Sequence, residues 1–208
     1  MNQPQDMLAI GPVRCAWMPH MRGTPTAPLV EPWLAAQLGV RPHDLGLWRD
    51  AHGRPHLGPG CAGFDANWSH SGERLLVALG EGVQLGADLE FLRPRPRAMV
   101  LARRFFAPAE TRALQALPDA VREQAFVRLW CAKEAVLKAH GRGIAFGLHR
   151  LEFAWDGDGW RMRACDPALG TPGDWTLHAF TPVPGYLATL AWRPHPARSG
   201  GGATPTMS

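Results

Sequence analysis

The stretch that decides the fold is DAVREQAFVRLWCAKEAVLKAH, residues 119–140. Its apolar side chains recur at spacings of three and four, which is the pattern of a helix that packs one face against a sheet. Asp119 is a favourable N-cap residue, and the pair His140-Gly141 is a common helix end. The stretch therefore predicts one long helix.

Short strand patterns flank this helix on both sides. Two of them, 74–79 and 83–92, are joined by Gly80-Glu81-Gly82 and predict a β-hairpin. Further strands are predicted after the helix, over residues 148–155, 159–164, 175–180 and 186–192. Strands paired around a long helix favour an α+β fold over a parallel doubly wound sheet.

The chain divides best at RPRPR, residues 93–97, which interrupts the strand pattern. This break predicts an N-terminal α+β half over 1–94 and a C-terminal half over 95–195 that carries the long helix. Residues 196–208 are rich in Gly, Ser, Thr and Pro, a composition typical of a disordered tail.

Composition limits the class of protein. Of 208 residues, 46% are hydrophobic and 19% are charged, which excludes a mainly disordered chain. No apolar run reaches the roughly 18 residues of a membrane helix. The four cysteines form no CxxC pair, and the start of the chain does not resemble a secretory signal. These features predict a globular protein of the reducing cytoplasm.

The basic residues carry a functional signal. Lysine and arginine together number 22, but the lysines are Lys133 and Lys138 alone. In a chain that uses arginine for nearly every positive charge, two lysines five residues apart indicate a site that requires a compact ammonium group.

Asp88 and Glu90 are the first candidate site residues. On a strand, two residues at this spacing project from one face, and two carboxylates there repel each other unless a cation joins them. Mg²⁺, which prefers oxygen ligands, is the natural partner. The alternative interpretation, two ordinary acids on a solvated strand end, stays open for this pair alone.

The long helix supplies a second candidate group. Trp130, Glu134 and Lys138 are four residues apart and form one stripe. Glu134 is suited to complete a three-carboxylate magnesium site or to act as a general base. Lys138 is suited to bind a phosphate through the compact charge of its ammonium group. The alternative is an ordinary ion pair beside a buried tryptophan, worth about 0.2–0.5 kcal/mol.

The segment NWSHSG, residues 67–72, precedes the predicted hairpin and reads as a turn. Its hydroxyls, imidazole and backbone amides suit an anion. A Ser-His hydrolase is disfavoured, because adjacent Ser69 and His70 do not readily adopt the geometry of a nucleophile and its base. Taken alone, the segment is equally well explained as a structural turn, as is Gly53-Arg54-Pro55.

The order of these segments along the chain is more informative than any one of them. Together they resemble the Sfp-type 4′-phosphopantetheinyl transferases over about residues 50–150. The segments that carry the resemblance are Gly53-Arg54-Pro55, Asn67-Trp68-Ser69-His70-Ser71, Gly86-Ala87-Asp88-Leu89-Glu90, Arg104-Phe105-Phe106 and the stretch from Trp130 to Lys138.

The resemblance implies a monomer of two similar α+β halves related by pseudo-two-fold symmetry, with coenzyme A and Mg²⁺ bound between them. It implies transfer of phosphopantetheine from coenzyme A to a serine of an apo acyl or peptidyl carrier protein, with release of adenosine 3′,5′-bisphosphate. No nucleic-acid or membrane partner is expected.

The resemblance also implies roles for individual residues. Asp88, Glu90 and Glu134 would hold the metal, and Glu134 would take the proton of the carrier serine. Lys138 would neutralise the pyrophosphate. Coenzyme A would be bound by Ser69, His70 and Arg54, as well as by Lys138.

The chain differs from the family pattern in the segment that is expected to bind the 3′-phosphate of coenzyme A. Family members carry basic residues on an early helix, but residues 30–39 contain none. Arg22, Arg41 and Arg49 are the candidate replacements, and the sequence does not choose among them.

A competing class of function is a non-catalytic module that binds a carrier protein or nucleic acid through the arginines of residues 93–104. The net charge of +4 is modest, and no nucleic-acid-binding motif accompanies these arginines. The same arginines are suited to meet an acidic carrier protein.

Overall fold

The computed structural model describes residues 7–195. A four-stranded antiparallel sheet lies in the first part of the chain and consists of β1 (Met7–Ile10), β2 (Val13–Pro19), β5 (Phe64–Ser71) and β6 (Arg74–Glu81). Its spatial order is β1-β2-β6-β5. Helix α1 (Ala27–Leu38) covers one face, where its Val30 and Leu34 join a core that includes Leu75, Val77 and Leu79.

A second antiparallel sheet has the order β10-β11-β7, formed by β7 (Val83–Phe91), β10 (Thr176–Phe180) and β11 (Tyr186–Pro194). The long helix α4 (Asp119–His140) packs on this sheet through buried Phe126, Leu129 and Leu137. It ends at Gly141, whose φ of 98° is left-handed, as the sequence predicted.

The remaining elements surround these two layers. The short strands are β3 (Trp48–Arg49) with β4 (Pro55–His56), and β8 (Leu151–Trp155) with β9 (Trp160–Cys165); the short helices are α2 (Ala98–Phe105) and α3 (Pro108–Ala116). None of the helices described is both long and apolar enough to cross a membrane.

The predicted hairpin over residues 74–92 is wrong in its pairing. β6 bonds to β2 and β5, whereas β7 pairs with β11, so that Asp88 lies opposite Thr189. The chain crosses from one sheet to the other at the tight turn around Gly82. The local pattern of apolar residues gives no sign of this change of sheet.

The two sheets are joined by side chains of β5, which the sequence had predicted to contain a turn. Three of them accept hydrogen bonds from amides of β7 in parallel register, at 2.7–3.0 Å. The pairs are Asp65 with Leu85, Asn67 with Ala87, and Ser71 with Phe91. The polar residues of this segment therefore bind one sheet to the other.

The mixture of helices and antiparallel sheets confirms the α+β class. The pseudo-two-fold relation and the division into residues 1–94 and 95–195 stay predictions. The tail predicted over 196–208 lies outside the described residues.

Candidate active site

A cleft of about 400 Å³ lies where β5, β7 and α4 meet. Six of the seven site residues predicted from the sequence line it: Ser69, His70, Asp88, Glu90, Glu134 and Lys138. The seventh, Arg54, does not.

The close contact of β7 with α4 brings the acidic residues together. A Cβ atom on Gly86 would lie 1.9 Å from the carbonyl oxygen of Ala135, so only glycine allows the helix to approach the strand this closely. The alternation of β7 then directs Ala87 and Leu89 into the core, while Asp88 and Glu90 line the cleft.

Lys138, Asp88 and Ser69 form a closed triangle of hydrogen bonds. The ammonium of Lys138 donates to Asp88 Oδ1 at 2.6 Å and to Ser69 Oγ at 2.9 Å, and Ser69 Oγ donates to Asp88 Oδ1 at 3.0 Å. Asp88 is only 2% exposed, and its Oδ2 is buried without a hydrogen-bond partner in the described chain. This oxygen is therefore ready to accept a further cation or donor.

The other two carboxylates stand beside this triangle. Glu134 Oε2 lies 3.9 Å from the Lys138 ammonium, so the predicted helix ion pair exists but is longer than the contact of Lys138 with Asp88. Glu90 Oε2 accepts a hydrogen bond from Arg95 Nη2 at 2.5 Å. Arg95 comes from the segment that links the two predicted halves, and it neutralises Glu90.

The crowding of acids changes the pKa values of the site. Burial, followed by the charge of Asp88, raises the pKa of Glu134 to about 7. Burial and Asp88 also raise the pKa of Glu90, against the opposing effect of Arg95. For Lys138, burial lowers the pKa, but the charges of Asp88 and Glu134 outweigh it and raise the pKa overall. Lys138 therefore keeps its charge at neutral pH.

The donor groups fit a hard divalent cation. No three acidic, histidine or cysteine side chains form a ready-made metal cluster within residues 7–195. Asp88, Glu90 and Glu134 nevertheless offer only oxygen ligands, and their carboxyl groups lie beside the two cations Lys138 and Arg95. The unpartnered Asp88 Oδ2 supplies one open ligand position.

His70 lies at the exposed edge of the cleft, with its ring 4.8 Å from the ring of His20. Partial burial, followed by the charges of His20 and Lys138, lowers the pKa of His70. The imidazole is therefore neutral at physiological pH and suited to hydrogen bonding rather than to ion pairing.

The structure places Arg54 in the interior rather than along the cleft. Its guanidinium forms two hydrogen bonds to the Asp65 carboxylate, at 2.5 and 3.1 Å. Its Nε donates to the carbonyl oxygens of Lys138 and Ala139 at the end of α4, at 3.2 and 3.1 Å. Arg54 thus fastens the helix end that carries Lys138 to strand β5.

The two lysines singled out by composition have different environments. Lys133 is fully buried, and its ammonium donates to Glu110 Oε2 at 2.7 Å and to the carbonyl oxygens of Leu148 and Leu151. Burial lowers the pKa of Lys133 to about 8 and raises that of Glu110. Lys133 therefore holds together α4, α3 and the start of β8, away from the cleft.

Sequence reasoning missed two participants. Glu110 gives no local signal, because it meets Lys133 only after α3 folds against α4. Arg95 was grouped with the arginines of residues 93–104 that are suited to meet a partner, but its side chain is 19% exposed and pairs with Glu90. Its position five residues after Glu90 was the one available hint.

Comparison with known proteins shows which family the chain is similar to. The family model of the 4′-phosphopantetheinyl transferase superfamily matches residues 84–190. The chain is 37% identical over 169 residues to the 4′-phosphopantetheinyl transferase HetI of Nostoc sp. (strain PCC 7120), a match that covers 77% of this chain and 68% of HetI.

Two further relatives carry the same description. The 4′-phosphopantetheinyl transferase of Bacillus subtilis is 29% identical over 131 residues, or 63% of this chain and 57% of the relative. The 4′-phosphopantetheinyl transferase AcpT of Escherichia coli (strain K12) is 30% identical over 121 residues, or 56% of this chain and 61% of AcpT. The protein belongs to the 4′-phosphopantetheinyl transferase superfamily, a family of transferases.

Proposed function

We propose that this protein transfers the 4′-phosphopantetheine arm of coenzyme A to a serine of an apo acyl or peptidyl carrier protein, in a Mg²⁺-dependent reaction. The observation that carries the proposal is the Lys138 ammonium, held between Asp88 and Ser69 in a cleft that Glu90 and Glu134 also line. Phosphoryl transfer depends on this kind of positioning and charge stabilisation more than on covalent catalysis.

Asp88, Glu90 and Glu134 are the residues that would hold Mg²⁺. When bound, the ion would offset the negative charge of the pyrophosphate. Before binding, Lys138 and Arg95 hold Asp88 and Glu90 in place, which limits the reorganisation that a ligand requires.

In the transfer step, the carrier serine oxygen forms a bond to the phosphorus that bears the pantetheine. The bond from that phosphorus to the bridging oxygen breaks, and adenosine 3′,5′-bisphosphate leaves. Glu134 receives the serine proton, directly or through water. Lys138 stabilises the charge that develops on the pyrophosphate, because its ammonium already lies in the cleft.

Ser69 and His70 are proposed to contact the phosphates of coenzyme A, since both line the cleft beside Lys138. For Arg54 we propose a supporting role instead of the nucleotide contact expected from the sequence. Its donors are directed to Asp65 and to the end of α4.

The carrier protein is proposed to approach over α2, in the cytoplasm, with the enzyme acting as a monomer. Arg97, Arg103 and Arg104 are exposed on or beside this helix. Carrier proteins that are acidic would associate faster with such a surface.

The experiment that tests the proposal is labelling of an apo carrier protein with a fluorescent coenzyme A. We expect a labelled carrier in the presence of Mg²⁺, no label with EDTA, and no label with Asp88→Asn. Asp158→Asn, a change at an exposed turn outside the cleft, is the matched control and should label normally. A carrier that is bound but never labelled would instead favour the non-catalytic module.

A further inference from the structure

Two hydrogen bonds connect helix α4 to Glu90 through Arg95. The backbone amide of Arg95 donates to Glu123 Oε2 on α4 at 2.7 Å, and Arg95 Nη2 donates to Glu90 Oε2 on β7 at 2.5 Å. Glu90 lines the cleft, whereas Arg95 is not among the residues that line it. The guanidinium therefore contacts the Glu90 carboxylate from outside the cleft.

The backbone around Arg95 is held in place. Pro94 and Pro96 flank it, and a proline ring fixes its own φ and restricts the residue before it. The carbonyl oxygen of Arg95 accepts a hydrogen bond from the amide of Ala98 at 2.8 Å, at the start of α2. Because Glu123 binds the amide of Arg95 as well, both backbone groups are engaged and the side chain begins at a fixed point.

The positive charge of Arg95 is directed to Glu90. The side chain of Arg95 is 19% exposed and that of Glu90 is 15% exposed, so the pair is largely shielded from water. Arg95 Nε is buried and has no hydrogen-bond partner in the described part of the chain. Within residues 7–195 no second carboxylate lies within ion-pair distance of this guanidinium. A shielded pair of this kind interacts more strongly than an ion pair on the open surface.

Lys138 differs from Arg95 in being able to leave its carboxylate. Its ammonium lies in the cleft at the end of a flexible side chain, so it can turn from Asp88 to a phosphate without movement of the backbone. Arg95 is anchored outside the cleft, where a ligand in the cleft does not replace Glu90 as its partner. The charge of Arg95 therefore stays beside Glu90 when a ligand binds.

On the basis of the proposed function, we propose that Arg95 competes with the divalent cation for the charge of Glu90 and so lowers the affinity of the three-carboxylate site for a free ion. Glu90 Oε1 accepts no hydrogen bond within residues 7–195, so it can serve as a ligand while Arg95 holds Oε2. It is a weaker ligand than an unpaired carboxylate, because the positive charges of Arg95 and the ion repel each other. Arg95 thus positions Glu90 and sets how tightly the site binds metal.

The test measures binding of Mn²⁺ alone, followed by electron paramagnetic resonance of the free ion, without coenzyme A or a carrier protein. Arg95→Gln should bind Mn²⁺ about tenfold more tightly than the unmodified protein, because the competing charge is lost while a polar side chain is kept. Structural damage would lower the affinity, so a gain in affinity reports the loss of competition.

Control variants make the result specific. Arg93→Gln removes the same charge from an exposed position in the same segment and should leave the affinity for Mn²⁺ unchanged. Arg95→Lys keeps the positive charge, so it should tighten binding by less than about threefold. The proposal would be overturned by an Arg95→Gln protein that binds Mn²⁺ no more tightly than the unmodified one. Equal tightening in Arg93→Gln, or in Arg95→Lys, would overturn it as well.

The proposed metal site fails separately from this inference. Adding Asp88→Asn to Arg95→Gln should abolish the tight binding of Mn²⁺, because it removes a carboxylate ligand of the same site. If tight binding persists in that double variant, the cation lies elsewhere and the proposed metal ligands are wrong. If the unmodified protein labels a carrier with Mg²⁺ while Arg95→Gln binds Mn²⁺ no more tightly, the assignment of Arg95 alone is wrong.

Discussion

Gly86 on β7 lies against the backbone of Ala135 on α4, and a Cβ atom there would come within 1.9 Å of the Ala135 carbonyl oxygen. This contact sets the distance between the strand that carries Asp88 and the helix that carries Glu134 and Lys138. The site depends on it, because the triangle of Lys138, Asp88 and Ser69 spans the same two elements and β5.

Gly86→Ala should therefore damage both stability and activity. The clash is with backbone atoms, which cannot rotate away, so we expect a loss of about 3 kcal/mol or more in the free energy of unfolding. Denaturant unfolding and the labelling assay would measure it. Gly60→Ala is the control, because no atom lies within 4 Å of its Cβ position. A fully stable Gly86→Ala protein would show that the packing can relax.

Lys138→Ala should reduce kcat on the order of 10²- to 10³-fold, since the variant loses a charge that acts as the leaving group forms. Lys138→Arg should recover only part of the rate, because the larger planar group does not reproduce the contacts to Asp88 and Ser69. Steady-state kinetics on both variants would measure this. Normal turnover of the Lys138→Ala enzyme would show that Lys138 is only a structural partner of Asp88.

Lys133→Met should act on stability instead of chemistry. It leaves the buried Glu110 carboxylate without its cation, which typically costs about 3–5 kcal/mol. Combining it with Glu110→Gln removes the unpaired charge, so the double variant should lose less than the sum of the two single variants. Urea unfolding of the three proteins would measure the coupling, and strict additivity would contradict a buried ion pair.

Asp88→Asn should abolish transfer at every Mg²⁺ concentration tested, because an amide is a poorer ligand than a carboxylate. The amide oxygen can still accept a hydrogen bond from Lys138, and melting curves show whether the variant is folded. A Mg²⁺ titration of the labelling rate is the measurement. Unchanged activity at limiting Mg²⁺ would remove Asp88 from the proposed metal ligands.

Arg97→Glu combined with Arg103→Glu should raise the carrier KM and weaken its dependence on salt, while coenzyme A binding stays the same. Arg95 is unsuitable for this test because it neutralises Glu90 in the site. Kinetics at two ionic strengths, with an acidic carrier protein, would measure the effect. An equal loss of affinity for coenzyme A would place these arginines at the nucleotide instead.

Features that depend on residues close in the chain were predictable. The spacing of apolar residues and the His140-Gly141 end indicated the long helix, and the strand alternation put Asp88 and Glu90 on one face. The four-residue spacing likewise put Glu134 and Lys138 on one stripe. These patterns follow from the fixed periods of helices and strands, so they needed no knowledge of the rest of the fold.

Other features were decided only by tertiary structure. The partner of β7 is β11, about a hundred residues further along the chain, so the hairpin predicted from the adjacent strand pattern was wrong. Arg54, Arg49 and Arg95 carry the same functional group but have different partners. Arg54 is buried and paired with Asp65, Arg49 packs over the ring of Trp68, and Arg95 is paired with Glu90. A residue type specifies which bonds a side chain can form, whereas the folded backbone decides which partner lies within reach.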